Sequence, residues 1–301
     1  MSRRHLAMLL GLAAIWGASF LFIKVAVREL TPATLIVGRL GLAALTLAAL
    51  APFIVGTGET MRQLRANVRW LVVVALVNTA IPFWLLSWGE TRIDSGLASI
   101  IQASVPIFNA LIAFVAFREV RVTGVPLVGV AIGFVGVALL VGAQPEGKVL
   151  GALAVVGMAF CYGVGGLVTG RYLGGARPFV VALGSTWIAT LVWLPVGVVE
   201  APSSTPGWKT IGSVVALGIP GTALAYLLFF GLITGAGAAY ASLVTYLIPP
   251  IALAYGAIFL DERFGAAALG GLALILAGVA LGTGAVRFGR ARPVAGGYGQ
   301  E

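Results

Sequence analysis

Apolar residues fall along this chain in ten long blocks, separated by short clusters of glycine, proline and charge. The blocks cover roughly residues 6–27, 32–55, 68–90, 94–117, 123–143, 149–171, 178–199, 209–232, 237–260 and 265–286. About 20 apolar residues in a helix cross the hydrocarbon core of a bilayer, so each block predicts a transmembrane span. The connections carry turn signals, as in Glu29-Leu30-Thr31-Pro32 and Gln144-Pro145-Glu146-Gly147, and none has room for a separate domain. The first block follows Arg3-Arg4-His5 but exceeds the apolar core of a signal peptide, about 7–15 residues, and is read as span 1. Residues 287–301, with Gly296-Gly297-Tyr298-Gly299, are expected to form a disordered cytoplasmic tail. The predicted fold class is an all-α membrane protein of ten transmembrane helices.

One stretch occurs twice. Residues 98–119 and 241–262 both open on Ala-Ser, reach a proline (Pro106, Pro249) and close on a glutamate (Glu119, Glu262) at the same interval. The copies lie in spans 4 and 9, five crossings apart, and an odd offset sets them in opposite orientations across the membrane. Gly136-Val137-Ala138-Leu139 in span 5 recurs as Gly278-Val279-Ala280-Leu281 in span 10, Trp16-Gly17 aligns with Tyr162-Gly163, and Pro32 with Pro178. The chain thus divides into a five-helix repeat over 6–143 and a second, inverted-topology five-helix repeat over 149–286. Many secondary transporters are built this way, with the substrate site near the midplane between the halves.

Composition agrees with the bilayer. Apolar residues make up 60% of the chain and charged residues 10%, against about a quarter charged in soluble proteins. A net charge of +9 would suggest a nucleic-acid partner in a soluble protein, but here the basic residues sort by side of the membrane. Arg3, Arg4, Arg62, Arg118, Arg171 and Arg287, with their basic neighbours, fall on one side, and only Arg28, Arg92, Lys148, Lys209 and Arg263 on the other. The positive-inside rule then places both termini in the cytoplasm, and no nucleic-acid partner is expected. The single cysteine, Cys161, lies within a span, so no disulfide framework is expected.

The Trp16-Gly17-Ala18-Ser19-Phe20 segment of span 1, the mid-span prolines of spans 4 and 9 and their terminal glutamates, set in two five-helix halves, resemble the drug/metabolite transporter superfamily. Within it, the chain resembles the ten-helix EamA-type proteins over about residues 6–286. The resemblance implies a carrier of the cytoplasmic membrane, commonly an exporter of amino acids or other metabolites. The amino-acid exporter branch, which includes carriers of aromatic amino acids, is the preferred subgroup.

In span 4, Ser95, Ser99, Gln102, Pro106 and Asn109 share one helical face, and Ser242, Thr245 and Pro249 repeat part of it in span 9. Such a stripe faces a wet cavity or hydrogen-bonds a neighbouring helix. Trp16, Trp84, Tyr162, Tyr226 and Tyr246 lie at mid-span rather than in an interfacial belt, and the repeat pairs Trp16 with Tyr162 and Trp84 with Tyr226. They either offer a substrate apolar faces with polar edges or pack helices together. The substrate-binding candidates are therefore Trp16, Asn78, Trp84, Ser99, Gln102, Tyr162, Tyr226, Thr245 and Tyr246. Arg39 and Lys24 are candidates to hold a carboxylate, the alternatives being that Lys24 reaches the interface and Arg39 caps carbonyls. Pro106 and Pro249 are candidate hinges, or give static curvature. Glu119 and Glu262 are expected as structural anchors at the N-terminus of the following helix. Gly129, Gly133 and Gly136 in span 5 and Gly271, Gly278 and Gly282 in span 10 predict close packing, either of span 5 on span 10 or between protomers of a homo-oligomer.

No Asp or Glu is placed deep within a span, and the one histidine, His5, precedes span 1. Export of cations against protons needs a titratable group at depth. The expected function is therefore export of small neutral or zwitterionic metabolites, amino acids foremost, by alternating access, as a facilitator or exchanger without strong proton coupling. Proton-coupled export of purines, sugars, cationic drugs or other metabolites remains the alternative. A channel or an intramembrane enzyme is more remote, because neither a filter nor a Gly-x-Ser-x-Gly or His-Glu-x-x-His motif is present. No cofactor or metal is expected, and the partners expected are the substrate and the lipid bilayer.

Overall fold

The structure, a computed structural model, describes residues 2–116, 124–145 and 147–282. Glu119 and the stretch 287–301 lie outside the described residues. A backbone in hydrocarbon has no water to bond and must satisfy its own polar groups, which selects helices for apolar blocks of this length. Among the described residues, seven helices are long and apolar enough to cross a membrane, and three shorter apolar ones accompany them. The protein is an all-α membrane protein.

The helices are α1 (Arg3–Ala26), α2 (Pro32–Ile54), α3 (Thr57–Ala75), α4 (Ile81–Glu90), α5 (Ser95–Gln102), α6 (Val105–Ala116), α7 (Val125–Gly142), α8 (Val149–Tyr172), α9 (Pro178–Val199), α10 (Trp208–Gly218), α11 (Ala225–Ala236), α12 (Ala238–Ala241), α13 (Val244–Phe259) and α14 (Ala266–Gly282). Their starts follow local chemistry: Thr31 accepts from the Thr34 amide, and Pro32 stands at the first helical position, where no N–H is needed.

Two spans are continuous helices widened by a π-helical turn. Leu76–Ala80 joins α3 to α4, and Ile219–Leu224 joins α10 to α11. The turns begin 143 positions apart, the spacing that also separates Pro106 from Pro249. That register sets Phe83 opposite Tyr226, so the pairing of Trp84 with Tyr226 read from the sequence is displaced by one residue.

Two other spans are broken. Span 4 consists of α5 and α6, parted at Ala103-Ser104, and span 9 of α12 and α13, parted at Ser242-Leu243. Both breaks lie ahead of the prolines. Pro106 is the second residue of α6, where a missing N–H is harmless, while Pro249 lies inside α13.

Helix ends near these irregularities are closed by distant side chains. Glu262 accepts from the Ser95 amide (2.8 Å), the Ser95 hydroxyl (3.0 Å) and the Gly96 amide (3.0 Å). It thus serves the N-terminus of α5 in the other half of the chain rather than the helix that follows it, a favourable place for a carboxylate against the helix dipole. Lys24, rather than extending to the interface, donates from Nζ to the backbone carbonyls of Glu90 and Ile93, both at 2.7 Å, and closes the C-terminus of α4. Trp193 donates from its indole nitrogen to the Ala80 carbonyl at 3.0 Å, beside the first π-helical turn.

The glycine-rich faces of α7 and α14 pack on each other within the chain. A Cβ added at Gly278 would stand 2.5 Å from the Gly133 nitrogen and 2.6 Å from the Gly129 carbonyl oxygen, so only backbone fits there. Gly278→Leu is therefore expected to destabilise the fold by about 3 kcal/mol through overpacking, read as a lowered unfolding midpoint in detergent. Gly142→Ala, where a Cβ meets nothing within 4 Å, should move the midpoint little and in the upward direction. Glu262→Ala orphans three donors at the α5 N-terminus and should cost about 2 kcal/mol in the same measurement.

Candidate functional site

A cavity of about 240 Å³ lies between the two halves of the chain. That is many times the roughly 10–15 Å³ that one water needs, enough for a small organic molecule. The irregular backbone converges on it: Asn78 comes from the first π-helical turn, Gly221 and Thr222 from the second, and Ala103 and Val105 from the α5–α6 break. Interrupted helices are tolerated at membrane depth where they line a cavity, and π-helical turns recur at functional positions. Space for Asn78 is made by Gly165 on α8, where a Cβ would stand 2.6 Å from the amide oxygen.

Arg39 of α2 is the cation of the site. It is 7% exposed and lines the cavity. Its Nε donates to the Thr222 hydroxyl at 3.1 Å, and that hydroxyl donates onward to the Leu217 carbonyl at 2.8 Å, five residues back across the π-helical turn. The guanidinium carbon stands 4.4 Å from the centre of the Phe83 ring, a cation–π contact. Thr222 and Phe83 together fix the direction of the guanidinium. No carboxylate pairs with it, and its terminal nitrogens have no hydrogen-bond partner among the described residues.

Of the residues singled out from the sequence, Trp16, Asn78, Ser99, Gln102, Tyr162, Tyr226, Thr245 and Arg39 are brought together on the cavity wall. Trp16 is held by Phe229, with ring centres 5.4 Å apart. The Ser99 hydroxyl donates to the Gly96 carbonyl at 2.6 Å and the Thr245 hydroxyl to the Ser242 carbonyl at 2.7 Å, which leaves their lone pairs for the cavity.

Trp84, Tyr246, Lys24, Pro106 and Pro249 are not on the wall. Trp84 stacks between Trp88 and Trp193, at 5.9 and 5.7 Å, because the π-helical turn rotates Phe83 inward in its place. Tyr246 packs against the main apolar core. Lys24 is spent on the α4 carbonyls. Asn109 turns to α8 at Gly166.

Sequence reasoning missed Phe83, Leu86 and Thr222 among the wall residues. The recurrence of threonine at Thr79 and Thr222, 143 positions apart, was the available signal for the last. It also missed Glu90. This residue ends α4, is 0% exposed, and has neither carboxylate oxygen bonded among the described residues. Nothing in the sequence signalled that this span end is buried: α1, α2, α5 and α8 pack against α4, so Glu90 lies inside the protein although it is the last residue of its span.

Known proteins share this architecture and sequence. A solved crystal structure aligns over 95% of this chain and 100% of its own, with a TM-score of 0.67 at 18% identity, a likeness of fold. A probable terminal-alkyne amino-acid exporter of Streptantibioticus cattleyicolor is 30% identical over 275 residues, covering 88% of this chain and 89% of that protein. A probable amino-acid metabolite efflux pump of Escherichia coli is 26% identical, over 97% of this chain and 98% of its own. Residues 4–142 and, separately, 149–283 each match one and the same family. A multi-pass helical protein with a cavity between two such stretches therefore has its place: the chain belongs to the EamA-like transporter family.

Proposed function

We propose that the protein exports small zwitterionic metabolites, amino acids foremost, across the cytoplasmic membrane by alternating access, with both termini in the cytoplasm. Arg39 carries the reading. A charge buried at membrane depth is costly unless it is paired, and this one faces a cavity with no carboxylate in ion-pair contact among the described residues, Glu90 acting on it only from a distance. A substrate carboxylate supplies the missing partner. The amide oxygens of Asn78 and Gln102 and the hydroxyls of Tyr162, Tyr226 and Thr245 offer acceptors to an amino group. Trp16 and Phe83 offer apolar faces to a side chain.

The names of the two relatives, both amino-acid exporters or efflux pumps, support the substrate class. Two family matches along one chain, and features recurring 143 positions apart, support a division into inverted halves over 6–143 and 149–286 that rock about the cavity. Pro106, two residues past the break at Ala103-Ser104, and Pro249, within α13, are the proposed bending points. Operation without strong proton coupling was expected from a chain with no acid deep within a span; Glu90, buried at the end of α4, is an acid which that expectation did not count.

Proteoliposomes loaded with unlabelled leucine or phenylalanine should draw in the labelled amino acid by counterflow, which an open channel does not. Arg39→Gln should lower transport at subsaturating substrate roughly 10- to 100-fold, the worth of a charge-assisted hydrogen bond of about 1.5–3 kcal/mol. Amino-acid amides should compete poorly with wild type. Wild-type rates in Arg39→Gln, with amides competing as well as acids, would sink the carboxylate reading.

A further inference from the structure

Glu90 is a charged group that the substrate site does not use. Its carboxylate is fully buried at the end of α4 and unbonded among the described residues. Lys24 of α1 lies over the same helix end, yet its ammonium bonds the backbone carbonyls of Glu90 and Ile93, not the carboxylate. The other charged groups close enough to act on Glu90 are Arg39 of α2 and Glu262 beyond α13. Arg39 is directed to Thr222, and Glu262 to the α5 N-terminus. On the α8 side, Gly151 and Val155 press on the adjoining Gly89 and bring no charge. One turn back along α4, Leu86 lines the cavity. Glu90 therefore occupies the layer between the cavity and the end of the bundle that carries Arg92, the outer end by the distribution of basic residues.

A carboxylate without a donor is held at high cost in such surroundings, and a proton removes the cost. Acids placed this way mark proton pathways in transporters. We propose that Glu90 is a proton-binding site that couples export to proton entry, an assignment that rests on the carrier reading above. It takes a proton from the outer side when that end opens, keeps it while the end is closed as in this conformation, and yields it to cavity water when the cytoplasmic side opens. On release the carboxyl O–H bond breaks, its electron pair stays on the carboxylate and the proton passes to water. Lys24 is then the nearest cation available to the carboxylate. One proton enters for each substrate that leaves.

The test uses proteoliposomes of the full chain with the membrane potential clamped. An acid-inside pH gradient should drive labelled leucine or phenylalanine inward above equilibrium, approaching tenfold per pH unit for one proton. Glu90→Gln should abolish that accumulation and retain counterflow at equal pH. Wild-type counterflow without gradient-driven accumulation overturns the proposal, as does accumulation that survives in Glu90→Gln. A second measurement needs only the wild type: dicyclohexylcarbodiimide, which attacks un-ionised carboxyls in apolar surroundings, should label Glu90 at neutral pH by peptide mass spectrometry, and an unlabelled Glu90 overturns the assignment. Absence of counterflow for every amino acid tested would bring down the amino-acid reading instead, and Glu90 would then be decided by the label alone.

Discussion

A backbone group that loses its helical partner inside a bilayer must find another, because no water is there to take its place. The architecture follows from how that requirement is met. The chain widens two helices with π-helical turns and cuts two others, each time freeing carbonyls and amides within an apolar span. Side chains distant in sequence then close the gaps: Glu262 holds the start of α5, Lys24 the end of α4, and Trp193 the Ala80 carbonyl beside the first π-helical turn. These contacts tie spans to one another more specifically than apolar packing can, since lipid tails are as apolar as leucine. The cavity sits where the irregularities converge, and the same backbone departures that create it aim Asn78 and Thr222 into it.

Much of this was legible in the sequence. A bilayer permits one regular element for an apolar block, so block length alone sets the spans, and the recurrence around Pro106 and Pro249 pointed to paired halves. Of the polar stripe of span 4, Ser99 and Gln102 line the cavity, while Ser95 bonds Glu262, Pro106 is off the wall and Asn109 turns to α8. What escaped was local phase. One added residue turns a helix by about 100°, so Phe83 faces inward where Trp84 was expected, and nothing in the apolar pattern marks a π-helical turn. In span 9 the break at Ser242-Leu243 leaves Thr245 on the cavity and Tyr246 in the core.

The depth of helix ends was the other blind point. Glu90 closes an apolar block and Lys24 stands near the end of another, positions that in sequence resemble a membrane surface. In three dimensions α1, α2, α5 and α8 pack against α4, and Glu90 at its end is fully buried. Burial there comes from residues tens of positions away, and hydropathy along a single chain does not sum over neighbours. The partnership of Glu262 with Ser95 and Gly96 likewise spans the two halves, beyond the reach of any reading based on the next helix.

The two halves are not chemically equal. With Pro32 set against Pro178, the counterpart of Arg39 is Ser185, whose hydroxyl donates within its own helix to the Val181 carbonyl at 2.7 Å. With the π-helical turns aligned, the counterpart of Thr222 is Thr79, whose buried hydroxyl bonds nothing among the described residues. A single guanidinium, held by Thr222 and without a counterpart at Ser185, therefore gives the cavity wall a charge on one side only among the described residues.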